Sequence, residues 1–152
     1  MPYRNTRILY DCEAAYLAGL IDGEGTVTLC CKHRNENRQL CVSISSTERQ
    51  MLEWVVATTG VGKITSKRIA SKRHSPSFTY AVYNRQALSL LEQTQTWLKT
   101  YKRMRTTLIL EQYLRLTPRN GHYTPELKDA KRLFEQAVLG LRANCCSESN
   151  PS

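Results

Sequence analysis

Cysteines, histidines and a pair of closely spaced acids are the side chains of this sequence best suited to chemistry. The cysteines stand at Cys12, Cys30, Cys31, Cys41, Cys145 and Cys146, two adjacent pairs with no metal-knuckle spacing. Neighbouring residues of a strand point to opposite faces, so neither pair offers two thiolates to one tetrahedral ion. They read as reduced, unpaired thiols, and a chain of 152 residues needs no disulfide scaffold. His33, His74 and His122 are scattered through loop-like text and make neither a zinc cluster nor a catalytic triad. Oxygen chemistry remains: Asp22 and Glu24 flank Gly23 at the end of an apolar segment.

The balance of charge points to the partner. Lys and Arg number 22 against 13 Asp and Glu, a formal +9, which favours an anionic ligand or surface. The length suits one compact domain and leaves no room for a nucleotide-binding domain beside a separate substrate domain. With 41% apolar and 23% charged residues, the composition is that of a folded chain. No run approaches membrane-spanning length, and the opening residues lack the apolar stretch of a secretion signal. The expectation is an intracellular protein in a reducing compartment, a bacterial cytoplasm or an organelle such as a chloroplast or mitochondrion.

The elements that must position these groups follow from periodicity. After an N-terminal arm (1–11), residues 12–25 (CEAAYLAGLIDGEG) form a short helix, apolar on nearly all sides, with small residues four apart at Ala15, Gly19 and Gly23. Such a helix needs more cover than a domain this small can provide. Strands at 26–32 and 39–45, joined by a polar linker, make a hairpin. A helix opening at Thr47 and Glu48 stops at Gly60, and a second strand pair occupies 63–69 and 78–83, separated by a basic loop. Helical patterns resume through Ala87 to Leu98 and from Met104 to Leu116. Thr124, Pro125 and Glu126 then cap a last helix running to about Arg142, before a flexible tail at 143–152.

The expected fold class is therefore α+β, with the order α-β-β-α-β-β-α-α-α and one four-stranded antiparallel sheet. Alternation divides the sheet. Val27, Leu29, Val42, Ile44, Ile64, Tyr80 and Val82 should face the helices. Thr26, Thr28, Cys30, Lys32, Arg34, Cys41, Ser43, Lys63, Thr65, Lys67, Thr79, Ala81 and Tyr83 make an opposite face that is mostly polar or basic.

Residues 17–25 read LAGLIDGEG, which resembles the signature of the LAGLIDADG homing endonucleases, with Gly23 for the second Ala and Glu24 for the final acid. The element order over residues 12–142 resembles that family too, and the single motif resembles its homodimeric branch. The resemblance implies paired motif helices and two sheets forming a saddle over duplex DNA. It further implies an intron-encoded homing enzyme that recognises a long, roughly palindromic site. Both strands would be hydrolysed across the minor groove, leaving four-base 3′ overhangs.

Roles follow residue by residue from that resemblance. Glu24 and the Gly23 carbonyl would hold Mg2+; Mn2+ could replace it, and Ca2+ could bind without supporting cleavage. The physics agrees, because a carboxylate at a helix C-terminus opposes the dipole and two such groups near an axis repel, so a divalent cation would offset their charge. Lys102, placed just before a helix, matches the family's basic active-site residue, with Lys99, Arg103 and Arg105 near enough for a shift of register. Ser46 stands where members often carry Gln or Asn, and reads either as a shortened catalytic contact, with Ser45 beside it, or as a strand-end capping hydroxyl. Arg49 or Gln50 could add a polar contact there. Asp22 should cap nearby amides, and the dimer interface should gather Ala15, Ala18, Gly19, Asp22 and Gly23. DNA contacts are expected from the polar sheet face, together with Gln39, Arg68, Lys72, Arg73 and Arg103. Trp54 and Tyr80 read as core. The rival functions are a cleavage-silent maturase, for which RNA would be the partner, a sequence-specific DNA-binding protein, and a purely structural basic protein.

Overall fold

The computed structural model describes residues 5–31, 33, 37–66 and 75–143. Lys32, Arg34, Lys67, Arg68, Lys72, Arg73, His74, Cys145 and Cys146 lie outside the described residues, as does the tail beyond 143. The chain runs α1 (Asp11–Glu24), β1 (Gly25–Cys30), β2 (Gln39–Ser46), α2 (Arg49–Thr59), β3 (Lys63–Ser66), β4 (Phe78–Tyr83), α3 (Asn84–Thr94), α4 (Tyr101–Gln112) and α5 (Pro125–Gly140). A single 3-10 turn, Gln95–Trp97, links α3 to α4. The expected order of elements is the observed one.

The four strands form one antiparallel sheet in the order β1-β2-β4-β3. Register aligns Val27 with Val42 and Val82, and Ile44 with Tyr80 and Ile64, so the apolar positions of all four strands share one face. Helices cover that face, and Leu17, Ile21, Leu40, Val42, Ile44, Tyr80, Leu90 and Leu91 are fully buried between the layers. This burial supplies the main driving force for the fold. Trp54 is only half-buried, set edge-on to Tyr16 with ring centroids 5.0 Å apart.

Two joints depend on glycine. A Cβ at Gly25 would stand 2.6 Å from the Ile21 Cα and 2.8 Å from its carbonyl oxygen, so only glycine lets α1 pass directly into β1. Gly62 has φ +92° and lies against the Tyr80 ring, where a side chain would collide.

The N-terminal segment is laid down rather than left free. The Arg7 amide donates to the Thr59 carbonyl at 2.9 Å, and the Gln93 side chain joins Leu9 and Arg7 through bonds of 2.7 and 3.0 Å. Several boundaries differ from expectation: α3 runs Asn84–Thr94 rather than through Leu98, α4 ends at Gln112 rather than Leu116, and one difference bears on the site. Helix α4 begins at Tyr101 rather than Met104, because the Thr100 side chain accepts from the Lys102 amide and starts the helix earlier. Lys102 thus sits in the first turn of α4.

Candidate active site and nucleic-acid interface

The end of α1 is built by contacts from α4. The Asp22 carboxylate accepts from the amides of Lys99 (2.8 Å) and Thr100 (3.2 Å) and from the Thr100 hydroxyl (2.6 Å). It thus ties the N-terminus of α4 to the C-terminus of α1. The Lys102 ammonium returns the contact, donating to the carbonyls of Ile21 (2.8 Å) and Asp22 (2.9 Å). A cation is well placed there, because unsatisfied carbonyls give a helix C-terminus negative character. Burial pushes the Lys102 ammonium below its ordinary value, while the Asp22 and Glu24 carboxylates pull it back up.

Glu24 contrasts with Asp22. It is exposed and makes no hydrogen bond or ion pair among the described residues. Lys102 engages the carbonyls of residues 21 and 22, so the Gly23 carbonyl is the nearest one preceding Glu24 that this ammonium does not occupy. A carboxylate and a backbone carbonyl are hard oxygen donors, and they fit Mg2+, Mn2+ or Ca2+. No group of three His, Cys, Asp or Glu side chains converges among the described residues.

Glu24 leads directly into β1 at Gly25. The pairing of Gly25 with Ile44 carries Ser46 to the same end of the sheet. The Ser46 hydroxyl accepts from the Glu48 amide at 3.0 Å, ahead of α2, which is the capping alternative. Ser45 instead bonds across the strands to Thr79 at 3.0 Å. Arg49 pairs with Glu53 and lies over the Phe78 ring, while Arg103 is exposed beside Lys102. Arg105, the neighbouring candidate, is buried and structural: it donates to the carbonyls of Val27 (2.9 Å) and Leu141 (2.7 Å), fastening β1 to the end of α5.

The outward face of α1 carries Cys12, Tyr16, Gly19 and Gly23, with Ala15 and Leu20 half-buried beside them. A Cβ added at Gly19 or Gly23 would meet nothing within 4 Å. Ala18 does not belong to this stripe. It is fully buried against the chain's own core, because its place on the helix lies beside Leu17 and Ile21. Asp22 is likewise committed to Thr100 rather than to the open face. Tyr16 and Leu20 were missed in the sequence, although their spacing from Cys12 and Gly19 follows the same helical seam.

The sheet face turned away from the helices is a lattice of short side chains. Its rows are Cys30 and Gln39; then Thr28, Cys41 and Tyr83; then Thr26, Ser43, Ala81 and Lys63; then Ser45, Thr79 and Thr65. Cys41 is the exception to its exposure, with only 8% accessible beneath its neighbours. Its thiol is pushed up to about 12, first by burial and then by Cys30. A thiol so withdrawn is a poor direct reader of a ligand.

Known proteins share this arrangement. The pattern defining the LAGLIDADG-like domain matches residues 11–107. No curated protein sequence matches the chain. Among solved structures, the homing endonuclease I-CvuI in complex with its target and calcium superposes with a TM-score of 0.69 at 18% identity, covering 87% of this chain and 83% of that one. The archaeal intron-encoded homing endonuclease I-Vdi141I, complexed with DNA, gives 0.57 at 17% identity, with 87% and 85% covered. The LAGLIDADG meganuclease I-AabMI, bound to uncleaved DNA, gives 0.60 at 24%, and there the match spans 82% of this chain but only 44% of the longer protein. With the motif on α1, the sheet behind it and the pattern covering 97 of 152 residues (11 through 107), the chain belongs to the LAGLIDADG-like domain family.

Proposed function

We propose that the chain is a divalent-metal-dependent, site-specific double-strand DNA endonuclease that works as a homodimer, of the kind encoded within introns or other mobile elements. The observation that carries this reading is the exposed Glu24 carboxylate, without a hydrogen bond or ion pair among the described residues, set at the helix end beside the open Gly19 and Gly23 stripe. Packing that stripe against its own copy brings two Glu24 side chains to one axis. The two sheets then form one saddle, and each polar face lies in the major groove of one half of a long pseudopalindrome. Lys63, Arg103 and the cations outside the described residues would contribute phosphate contacts, which give salt-dependent affinity.

The chain's residues divide the work. Glu24 and the Gly23 carbonyl would hold the cation, while Asp22 and Lys102 lock the helix end that presents them. When bound, the divalent ion supplies Lewis-acid stabilisation and lowers the pKa of water, so hydrolysis needs no protein nucleophile. Cleavage of both strands across the minor groove leaves four-base 3′ overhangs. A cleavage-silent maturase or DNA-binding protein is the second reading, favoured by one observation: the short Ser46 side chain is drawn toward α2, where its hydroxyl accepts from the Glu48 amide.

Joining the flanks of the coding sequence at the insertion point proposes the target. The wild type with magnesium should cut that duplex at one place, whereas Glu24→Gln should bind it and leave it whole. Full cleavage by Glu24→Gln rejects the assigned metal ligand. Binding without cleavage by the wild type, together with activity in an intron-splicing assay, favours the maturase.

A further inference from the structure

A buried ammonium lies far from the site just described. Lys131 on α5 is 2% exposed, and it donates to the Thr117 hydroxyl at 2.9 Å and the Tyr123 hydroxyl at 3.2 Å. The rings of Tyr113 and Tyr123 lie 5.5 and 5.4 Å from its nitrogen. Glu135, one turn further along α5, bonds the Arg38 amide. An ammonium can only donate, so the Thr117 and Tyr123 hydroxyl oxygens both accept from it.

The contacts run on toward the sheet. Thr117, which accepts from Lys131, adjoins the Tyr113 hydroxyl, and burial pushes that phenol above its ordinary value. The Tyr113 hydroxyl in turn donates to the Asn84 Oδ1 at 2.9 Å. With its oxygen toward Tyr113, the Asn84 side chain donates from Nδ2 to the Gln39 Oε1, 3.2 Å away. Asn84 holds this pose with φ at +55°, a left-handed conformation that Asn and Asp tolerate better than other side chains. Gln39 stands opposite Cys30 on the outer face of the sheet.

We propose that Asn84 is a positioning residue for DNA readout, fixing the Gln39 amide with its oxygen turned inward and its two N–H donors turned toward the groove. A side chain so held reads a hydrogen-bond acceptor on a base edge, guanine O6 or N7 before thymine O4, and is a poor bidentate partner for adenine, which needs the oxygen as well. This inference rests on the proposed DNA-binding function.

The test is selection of the full-length protein on fully randomised duplex DNA, with calcium replacing magnesium. The wild type should enrich a sequence with guanine preferred at one symmetric pair of positions. Asn84→Asp can only accept, so it draws the Gln39 Nε2 inward and turns the oxygen out; that pair of positions should shift by about tenfold toward adenine or cytosine while the others hold. Gln39→Glu, a change on the surface, should move the same positions toward cytosine even if Asn84→Asp folds poorly. An unchanged sequence in both variants overturns the inference while leaving DNA binding intact. Uniformly weaker binding in Gln39→Glu, with no positional shift, assigns Gln39 to phosphate and overturns it as well. If the wild type enriches no sequence, the DNA-binding reading itself falls, and this inference with it.

Discussion

At the scale of single residues, two side chains behave unlike their surface counterparts. Lys102 is a buried cation whose partners are carbonyls rather than a carboxylate, so it closes α1 as a cap while standing next to Glu24. Replacing it with Met should remove two charge-assisted bonds and cost about 2–3 kcal/mol in urea unfolding, beyond any loss of cleavage. Lys102→Met that melts like the wild type contradicts the cap and returns the residue to a purely catalytic role. Cys41 makes a second case. Its thiol is raised from 9.0 to about 12, so its contribution to stability is present below pH 9 and is lost as pH climbs toward 12. The wild type should therefore lose stability over that range faster than Cys41→Val, as measured by urea midpoints. At mildly alkaline pH, iodoacetamide should modify exposed Cys12 and Cys31 and spare Cys41, with peptide mass spectrometry as the check. Equal modification of Cys31 and Cys41 contradicts the burial.

At the scale of elements, the joint between α1 and α4 organises the site, and Asp22 is its fastening. Asp22→Ala should free the Thr100 cap, fray the first turn of α4 and cost roughly 2 kcal/mol, with the amides of residues 99–103 losing hydrogen-exchange protection first. Protection unchanged at those amides removes the joint from the explanation. The same contact marks how much the sequence made legible. Helices and strands were readable because their apolar periods are local, and the two sheet faces followed from alternation alone. The start of α4 was not, since Thr100 acts with an acid 78 residues away in the chain. Nor did any local pattern reveal that Ala18 would turn inward or that Asn84 would sit at the left-handed joint between β4 and α3. Motif residues announced the candidate site; the partners holding it were set by tertiary contacts.

At the scale of the whole molecule, the open stripe on α1 separates what one chain does from what two would do. Inside one chain, Gly19 is an exposed helix residue whose absent Cβ has nothing to meet. Its replacement by Leu should stabilise an isolated protomer by about 0.5–1 kcal/mol, because glycine is a poor helix former. In a dimer built on that stripe, the added side chain would stand between two backbones that must approach closely, and association should fail. Sedimentation equilibrium and thermal melting at low concentration read the two effects separately. The expected pair of results is a protomer that melts no earlier than wild type and a dimer that no longer forms. Cleavage should fall with the dimer, since a lone Glu24 cannot complete the cation site, whereas salt-sensitive binding to a half-site duplex should persist through the intact sheet. A Gly19→Leu protein that still dimerises and cuts would place the interface elsewhere on the molecule and remove the two-fold pairing of Glu24 from the mechanism.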